Sequence, residues 1–422
     1  MKRIYIVLIL ALSFILVGCS KQTEPTSVIT KTTTIDKQPT FTQKEHEMLS
    51  VEEILSTYSK SMLKCDQYQL GKYMKPVWEN QVIYNETVMF FEDKDGTIKD
   101  KTLLYPIAKV LEVRDNTLNT LYEEGKDYTV VDGKLHYVEG SSIWLTKYND
   151  YYLDEPNNKD AVFSSEKEEG KYYVYNEGDY FTKKQVSVTY IRTDEWTGPK
   201  IKRDTTKLPK TMQKLLNQEP LTIVYYGDSI MTGCNSSSFN HVEPNMPSLS
   251  KLITKKLTSE FGYSDITEIN TAVGGWTTNN GVQSNELQNR VIKQNPDLVI
   301  IGFGANDATW RMDANTYGAN LQNMMKKVLA ANPDCEFILI STPRPNVDAV
   351  GSIGNMAGNY VDYIPVLKNL SEESNVAFAN MTELSEYVLT RKDWVDITAN
   401  NINHPNDFLI RIEAQLICSI FF

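Results

Sequence analysis

Four polar segments of the sequence contain the residue types that acyl transfer requires. Ser229 directly follows an apolar run, residues 221–226, and offers a hydroxyl nucleophile. Gly275 offers a backbone N–H and Asn306 a side-chain amide, and both are suitable donors to a developing oxyanion. His404, in a polar loop ahead of the last apolar segment, offers the base that a serine nucleophile needs. Each segment alone is equally typical of a turn or a helix cap, so the interpretation depends on their meeting in space.

The apolar runs predict elements that would bring these segments together. From Leu221 onward, short apolar strands alternate with helical patterns, which favours a parallel sheet covered on both faces. The predicted strands are residues 221–226, 266–270, 297–303, 336–341 and 376–380. Loops that follow parallel strands meet at one edge of the sheet. We therefore predict an α/β fold with a doubly wound, five-stranded parallel sheet, and the four polar segments at its carboxyl edge.

The sequence before this sheet has a different pattern. Residues 46–196 contain short runs of β-forming residues separated by turn signals such as Asp95-Gly96 and Asp132-Gly133. This pattern predicts an antiparallel β-sandwich domain, preceded by a helix over residues 50–63 with Ser50 as its N-cap. Residues 197–220 include Pro, Gly and six Lys or Arg residues, and are interpreted as a linker. The α/β domain is then residues 221–422.

The N-terminus has the features of a targeting segment. Met1-Lys2-Arg3 supplies positive charge, and an apolar run too short to span a membrane ends in Leu16-Val17-Gly18-Cys19. That tetrapeptide resembles the lipobox of bacterial lipoproteins, which implies a signal peptide over residues 1–19 and lipidation of Cys19. The alternatives are an ordinary secretory peptide or an uncleaved anchor. Residues 20–45 are interpreted as a flexible tether, and we expect an extracytoplasmic, membrane-anchored protein.

Composition narrows the range of functions. The 422 residues have a formal net charge of −11, which disfavours nucleic-acid binding. The cysteines beyond Cys19 have no metal-like spacing, and the chain contains only four His. We therefore expect buried thiols, no metal and no cofactor.

In their chain order, the four polar segments resemble the conserved blocks of the SGNH (GDSL-type) hydrolase superfamily. The matching residues are Gly227-Asp228-Ser229, Gly275, Gly304-x-Asn306-Asp307 and His404. The resemblance covers about half the chain and implies an esterase that needs no metal. It also implies that Ser229 is the nucleophile and His404 the base, with an oxyanion hole formed by Gly275, Asn306 and the backbone N–H of Ser229.

One position departs from the family pattern. The family usually has Asp three residues before its His, where this sequence has Asn401. An amide cannot stabilise an imidazolium by charge. A Ser–His dyad with a backbone carbonyl is one possibility, an acid supplied by Asp396 or Asp393 is a second, and a weak enzyme is a third.

A β-rich domain ahead of an SGNH domain resembles two-domain carbohydrate esterases, and this resemblance implies that the N-terminal sandwich is jelly-roll-like. Trp276 and Trp310 follow the oxyanion segments directly and are candidates to stack on sugar rings. The predicted function is that of a surface-anchored serine esterase that deacetylates a polysaccharide or oligosaccharide. The alternatives are a glycan O-acyltransferase and a glycan-binding lipoprotein with a degenerate hydrolase domain. The oligomeric state stays open.

Overall fold

The computed structural model describes residues 48–58, 73–156 and 162–422. The predicted signal peptide with Cys19 and the predicted tether lie outside these ranges. Within them, no helix combines the length and the apolar character needed to cross a membrane.

Strands predominate before residue 193, and helices alternate with strands after it. In chain order, the α-helices are α1 (Val51–Thr57), α2 (Tyr148–Tyr151), α3 (Pro209–Asn217), α4 (Ser229–Thr232), α5 (Leu249–Phe261), α6 (Thr278–Gly281), α7 (Ser284–Arg290), α8 (Ala305–Thr309), α9 (Ala314–Ala331), α10 (Tyr363–Leu370), α11 (Met381–Leu389) and α12 (Asp407–Cys418). The strands are β1 (Val82–Val88), β2 (Phe90–Glu92), β3 (Ile107–Asp115), β4 (Tyr128–Val131), β5 (Lys134–Tyr137), β6 (Leu145–Lys147), β7 (Tyr152–Leu153), β8 (Val162–Ser165), β9 (Tyr172–Val174), β10 (Val186–Arg192), β11 (Leu221–Gly227), β12 (Ile266–Asn270), β13 (Leu298–Gly302), β14 (Glu336–Ile340), β15 (Ala349–Gly351), β16 (Gly354–Asn355) and β17 (Val376–Ala379). Four 3₁₀ turns accompany them in the described ranges, Thr182–Lys184, Ile292–Gln294, Tyr360–Asp362 and Trp394–Asp396.

A five-stranded parallel sheet forms the centre of the second half of the chain. Its strand order is β12-β11-β13-β14-β17, so β11 lies between β12 and β13. Both β13 and β14 are buried along their whole length, as expected for apolar strands that are covered on both faces. The predicted doubly wound parallel sheet is confirmed.

Side chains on opposite faces of this sheet enter two separate cores. Ile223 and Tyr225 of β11 belong to a core that includes residues of α5 and α12. Val224 and Tyr226 of the same strand belong to a second core that includes residues of α9 and α10. Because successive strand residues face opposite sides, this alternation produces a three-layer arrangement of helix, sheet and helix.

The strands that precede α3 are divided among four small sheets. These are β1-β10-β3, β2-β6, β4-β5 and β16-β15-β8-β9-β7. The last sheet is completed by β15 and β16, a hairpin that belongs to the second half of the chain and that sequence analysis missed. The β-rich character of the region is confirmed. Its predicted jelly-roll-like arrangement is not confirmed, because the strands do not form two large facing sheets.

The segment predicted as a linker is part of the core. Residues 197–220 include α3, and its Met212 and Leu215 are buried in the same core as Trp196 and Leu221. The residues that the structure describes form one compact unit. Two of the six positively charged residues that suggested a linker, Lys210 and Lys214, lie on α3, which buries its apolar side and leaves these lysines at least partly exposed.

Helix α1 begins where the sequence predicts and ends earlier. Ser50 is the N-cap, and its side chain and that of Glu53 form the expected capping box. The helix ends at Thr57 rather than at residue 63, and residues 59–72 lie outside the described ranges.

Candidate active site

Ser229 is presented at the carboxyl end of the central strand β11. Asp228 caps α4 by accepting the N–H of Ile230 at 3.0 Å, so Ser229 is the first residue of this short helix. The chain turns through Gly227, where an added Cβ would lie 2.1 Å from the carbonyl oxygen of Gly302. Only glycine allows the two strands to approach this closely, and that approach fixes the position of the serine.

His404 reaches the same edge from the loop between Trp394–Asp396 and α12. Asn400 shapes this loop, because its side-chain oxygen accepts the backbone N–H groups of Ile402, Asn403 and His404, each at 3.0 Å. The Nε2 atom of His404 lies 2.9 Å from Oγ of Ser229. This is the distance at which an imidazole can accept the hydroxyl proton.

The other ring nitrogen of His404 faces two acceptors. The side-chain oxygen of Asn235 lies 2.5 Å from Nδ1, and a carboxylate oxygen of Glu177 lies 3.3 Å from it. Asn235 is buried and its amide nitrogen donates to the carbonyl of Gly178 at 3.2 Å, which directs its oxygen toward the imidazole. Nδ1 therefore donates its proton to these acceptors and Nε2 is free to accept, the tautomer that a general base needs.

Glu177 comes from the loop after β9, in the β-rich region. Burial acts to raise the pKa of Glu177. The hydrogen bond to His404 and the charge of His404, together with hydrogen bonds from Tyr175 and Asn400, outweigh burial and lower the pKa to about 2. Glu177 is consequently a carboxylate throughout the neutral range. It stands where a triad acid would stand.

Sequence analysis identified neither Asn235 nor Glu177. Asn235 lies six residues after Ser229, and its left-handed backbone, with φ of 66°, is a feature that Asn tolerates well. This preference of Asn could have indicated a turn at position 235, although it does not indicate a contact with His404. Glu177 is separated from His404 by 227 positions, and no spacing in the sequence connects them.

Asp396, the predicted candidate acid, faces away from His404. One oxygen of its buried carboxylate lies 3.0 Å from Nζ of Lys101 and accepts the N–H of Met89 at 2.8 Å, and the other accepts the N–H of Asp393 at 3.2 Å. Asp393 likewise pairs with Lys101, at 2.6 Å. Proximity in sequence suggested these two acids, but both are used to join the β-rich region to the loop before α12.

Asn401, at the position of the family's usual Asp, is also engaged elsewhere. Its side-chain oxygen accepts the hydroxyl proton of Tyr151 at 2.7 Å, and its amide nitrogen donates to the carbonyl of Val174 at 2.8 Å. Asn401 is fully buried and has a left-handed backbone, with φ of 74°. The residue is a structural tie to the β-rich region and contributes nothing to the orientation of His404.

The predicted oxyanion donors follow the two strands that flank β11: Gly275 lies in the loop after β12, and Asn306 lies in α8 after β13. Val273 N–H donates to the carbonyl of Gly227 at 3.0 Å, which holds the loop after β12 against the nucleophile. A Cβ placed on Gly274 would lie 3.8 Å from Cβ of Ser229. The backbone N–H groups of Ser229 and Gly275 have no acceptor among the described residues, so both are available to an oxyanion.

Asn306 connects the loops after β12 and β13. Its amide nitrogen donates to the carbonyl of Trp276 at 3.0 Å, which uses one of the two N–H groups of the amide.

The buried Asp307, next to Asn306, accepts the N–H and the hydroxyl of Thr278 at 2.8 and 2.5 Å. Burial raises the pKa of Asp307, and burial, with the charge of Asp307 as a lesser cause, raises the pKa of Asp228 to about 7. These contacts fix the position of the Asn306 amide.

The two candidate sugar-binding tryptophans differ in their surroundings. The ring of Trp276 is half-buried, with the guanidinium of Arg290 4.8 Å from its centroid. Trp310 is 65% exposed, an unusual value for a ring of this size. Trp310 therefore presents a free face to solvent, while the ring of Trp276 is partly used in packing.

One group of side chains near His404 could hold a metal ion. A carboxylate oxygen of Glu177, the sulfur of Cys234 and a ring nitrogen of His404 lie within 4.8 Å of one another. Burial raises the pKa of the Cys234 thiol to about 12, with the charge of Glu177 as a further cause. The spacing of cysteines in the sequence gave no indication of this group.

Comparisons with known proteins concern mainly the α/β half of the chain. Residues 225–408 match the model of the family described as GDSL-like lipase/acylhydrolase. No curated protein matches the chain. Among solved structures, a two-domain esterase active on acetylated mannans, co-crystallised with mannopentaose, is 22% identical with a TM-score of 0.40. That alignment covers 51% of this chain and 53% of the esterase, so this chain spans about half the length of that structure.

Two further solved structures are similar to the same half. An acetyl xylan esterase is 18% identical with a TM-score of 0.38, and the alignment covers 48% of this chain and 100% of that one. A catalytic mutant of an acetylxylan esterase from Geobacillus stearothermophilus is 22% identical with a TM-score of 0.38, covering 48% and 95%.

Proposed function

Residues 225–408 form a domain of the GDSL-like lipase/acylhydrolase family, a family of ester hydrolases, and from this premise we propose that the chain is a serine esterase that removes acetyl groups from a polysaccharide or oligosaccharide. The proposal rests on one observation above the others. Oγ of Ser229 and Nε2 of His404 lie 2.9 Å apart, and the opposite ring nitrogen has acceptors that set the tautomer.

The first chemical step is acylation of Ser229. Nε2 of His404 removes the hydroxyl proton while Oγ forms a bond to the ester carbonyl carbon. The negative charge that develops on the carbonyl oxygen is stabilised by the N–H groups of Ser229 and Gly275 and by the amide of Asn306. When the intermediate collapses, the sugar oxygen leaves with the proton from Nε2. Water then attacks the acyl-enzyme by the same route and releases acetate.

The imidazolium that forms during each step needs stabilisation on its Nδ1 side. Asn235 supplies a close dipole at 2.5 Å, and Glu177 supplies a full negative charge at 3.3 Å. The dipole orients the ring, and the carboxylate attracts the positive charge that the ring carries once Nε2 has taken the proton. We infer that Asn235 and Glu177 together replace the Asp that the family usually has at position 401.

The surroundings of the nucleophile favour a carbohydrate as the alcohol part of the ester. Trp310 exposes its ring beside the Asn306 loop, and Trp276 follows Gly275 directly. The electron-rich face of an indole attracts the polarised C–H groups on the flat side of a pyranose. The same site would transfer the acyl group if a second sugar hydroxyl replaced water.

The decisive experiment compares Ser229→Ala with Ser238→Ala, a nearby half-exposed serine, on an aryl acetate and on acetylated mannan and xylan. Ser229→Ala is expected to abolish acetate release and labelling by a serine-directed fluorophosphonate, whereas Ser238→Ala retains both. Undiminished turnover by Ser229→Ala would refute the proposed function. A reaction that contains unacetylated oligosaccharide separates hydrolysis from transfer. Hydrolysis releases free acetate, whereas transfer yields newly acetylated oligosaccharide.

We also propose, from the sequence of residues 1–19, that Cys19 is lipidated and anchors the protein outside the cytoplasm. The support is the combination of basic start, apolar run and Leu16-Val17-Gly18-Cys19. Metabolic labelling with a tagged fatty acid should mark the unaltered protein and leave Cys19→Ala unmarked. Equal labelling of the two proteins, or no labelling of either, would refute lipidation at this residue.

A further inference from the structure

Cys234 places a soft ligand beside the catalytic imidazole. Its sulfur, a carboxylate oxygen of Glu177 and a ring nitrogen of His404 lie within 4.8 Å of one another. The nitrogen that faces Glu177 is Nδ1, at 3.3 Å, on the side of the ring opposite Ser229. The sulfur also lies 3.3 Å from the side-chain oxygen of Asn235, which itself contacts Nδ1.

This set of atoms matches the preferences of zinc. Thiolate, imidazole and carboxylate are its usual protein ligands, and tetrahedral coordination separates the ligand atoms by about 3.3–3.8 Å. The distance of 3.3 Å between Glu177 and Nδ1 already fits, and the sulfur needs to move by no more than about 1 Å. Glu177 and Cys234 are both partly exposed, so an ion can reach them from solvent.

We propose that Glu177, Cys234 and Nδ1 of His404 form a binding site for a divalent cation of the zinc class, and that the bound ion switches the esterase off. The binding is independent of the function proposed above. Only the inhibition rests on that function.

Inhibition follows from the tautomer that the metal imposes. The ion takes the lone pair of Nδ1, so the imidazole proton moves to Nε2, and the thiol of Cys234 releases its proton to solvent as the sulfur binds. Glu177 is already a carboxylate and releases none. Nε2 then donates a hydrogen bond to Oγ of Ser229 instead of accepting one, and it can no longer remove the hydroxyl proton.

The binding test uses cadmium, whose bond to a thiolate gives a charge-transfer band in the ultraviolet. The Ser229→Ala variant and the unaltered protein should both show this band on titration with Cd²⁺, and Cys234→Ser should not. The experiment needs no esterase activity, so it stands even if the proposed function fails. Absence of the band from both Ser229→Ala and the unaltered protein, or an equal band in Cys234→Ser, would overturn the site.

The inhibition test follows hydrolysis of an aryl acetate as Zn²⁺ is added. Cys234→Ser should keep the basal rate and need about tenfold more zinc, or higher, for half-inhibition. Cys335→Ala is the matched control, since Cys335 is a buried thiol at the amino end of β14, the opposite edge of the sheet. A chelator should restore activity. Equal zinc sensitivity of Cys234→Ser and the unaltered enzyme, or a cadmium band without inhibition by zinc, would overturn the switch.

Discussion

The α/β half and the β-rich half of this protein supply the site in different ways. The parallel sheet places Ser229, Gly275 and Asn306 together because the loops that follow β11, β12 and β13 emerge at one edge. The β-rich half contributes one carboxylate, Glu177, from a loop that approaches His404 from outside the sheet. The nucleophile and the oxyanion donors thus depend on the topology of a single sheet, whereas the charge behind the base depends on how two halves pack.

This difference separates residues that act on the substrate from residues that act through another residue. His404 contacts Ser229, while Glu177 contacts only the far side of His404. Damage to the first group should abolish the chemistry. Damage to the second group, or to the packing that positions it, should weaken the chemistry or the fold while part of the activity survives.

The largest expected effect is a loss of kcat when a residue at the carboxyl edge of the sheet is removed. His404→Ala should lower kcat by about 10⁴-fold or more, because the serine loses its base. His136, on β5 in the β-rich region, is the control: it pairs with Asp100, and His136→Ala should leave the rate of aryl acetate hydrolysis nearly unchanged. A comparable loss in both variants would mean that the two halves cannot be distinguished by function.

The second expected effect is on the packing between the halves. Nζ of Lys392 lies 2.6 Å from a carboxylate oxygen of Glu86 on β1, and both side chains are fully buried. Lys392→Met should lower the free energy of unfolding by about 3–5 kcal/mol, because it leaves the buried carboxylate of Glu86 without the positive charge that it faces. Chemical denaturation measures this.

The matched control for that loss is an exposed pair. Lys94 and Glu168 lie 3.5 Å apart in the β-rich region, with the lysine side chain 66% exposed. Lys94→Met should cost about 1 kcal/mol or less. Equal losses for the buried and exposed lysines would contradict the view that Lys392 fastens one half to the other.

A smaller effect is expected from the carboxylate behind the base. Glu177→Gln should lower kcat about 10- to 100-fold with little change in KM, because the amide can accept a hydrogen bond but supplies no charge to the imidazolium. Steady-state kinetics on an aryl acetate separates the two constants, and Glu177→Asp should recover part of the rate. A change confined to KM would contradict a role through His404.

Asn401→Asp sharpens the same comparison. It restores the acid at the family's usual position, yet the side chain there faces the hydroxyl of Tyr151 and the carbonyl of Val174. A carboxylate would meet the carbonyl oxygen at close range, so we expect lower stability and no recovery of activity when this change is added to Glu177→Gln. Recovery would show that position 401 can still reach His404.

The smallest expected effect is a pH dependence within the α/β half. Glu413 on α12 is fully buried, one of its carboxyl oxygens has no hydrogen-bond partner, and burial raises its pKa to about 8. The unfolded chain releases this proton near pH 4.5, so the native state binds more protons between about pH 4.5 and 8, and this group makes stability fall as pH rises through that window. Glu413→Gln should therefore gain on the order of 1–3 kcal/mol at pH 8 and little at pH 4. A parallel pH dependence of the melting temperature in both proteins would contradict this.

The sequence predicts the parts of the site that regular structure positions. Ser229, Gly275, Asn306 and His404 each lie in a loop or a short helix whose location follows from the alternation of strands and helices, and the structure brings these segments to one edge. Asn235 and Glu177 escape prediction because their positions depend on a left-handed turn and on packing between distant segments. The prediction that Asp396 supplies the acid fails for a related reason. The distance of Asp396 along the chain from His404 is short, but the 3₁₀ turn Trp394–Asp396 directs the carboxylate toward Lys101.

The side chain of Asn401 is held by two residues of the β-rich half, and this limits which N-terminal regions can be joined to the α/β half. A gene fusion that joins this hydrolase sheet to a different N-terminal module would lose the carboxylate that serves His404, and would also leave the amide at 401 without its two partners. Chimeras should keep the full rate only when both modules come from the same parent, or when an acid is reintroduced on the sheet side. Inheritance of the two modules as a pair is therefore the expected outcome of selection on either one.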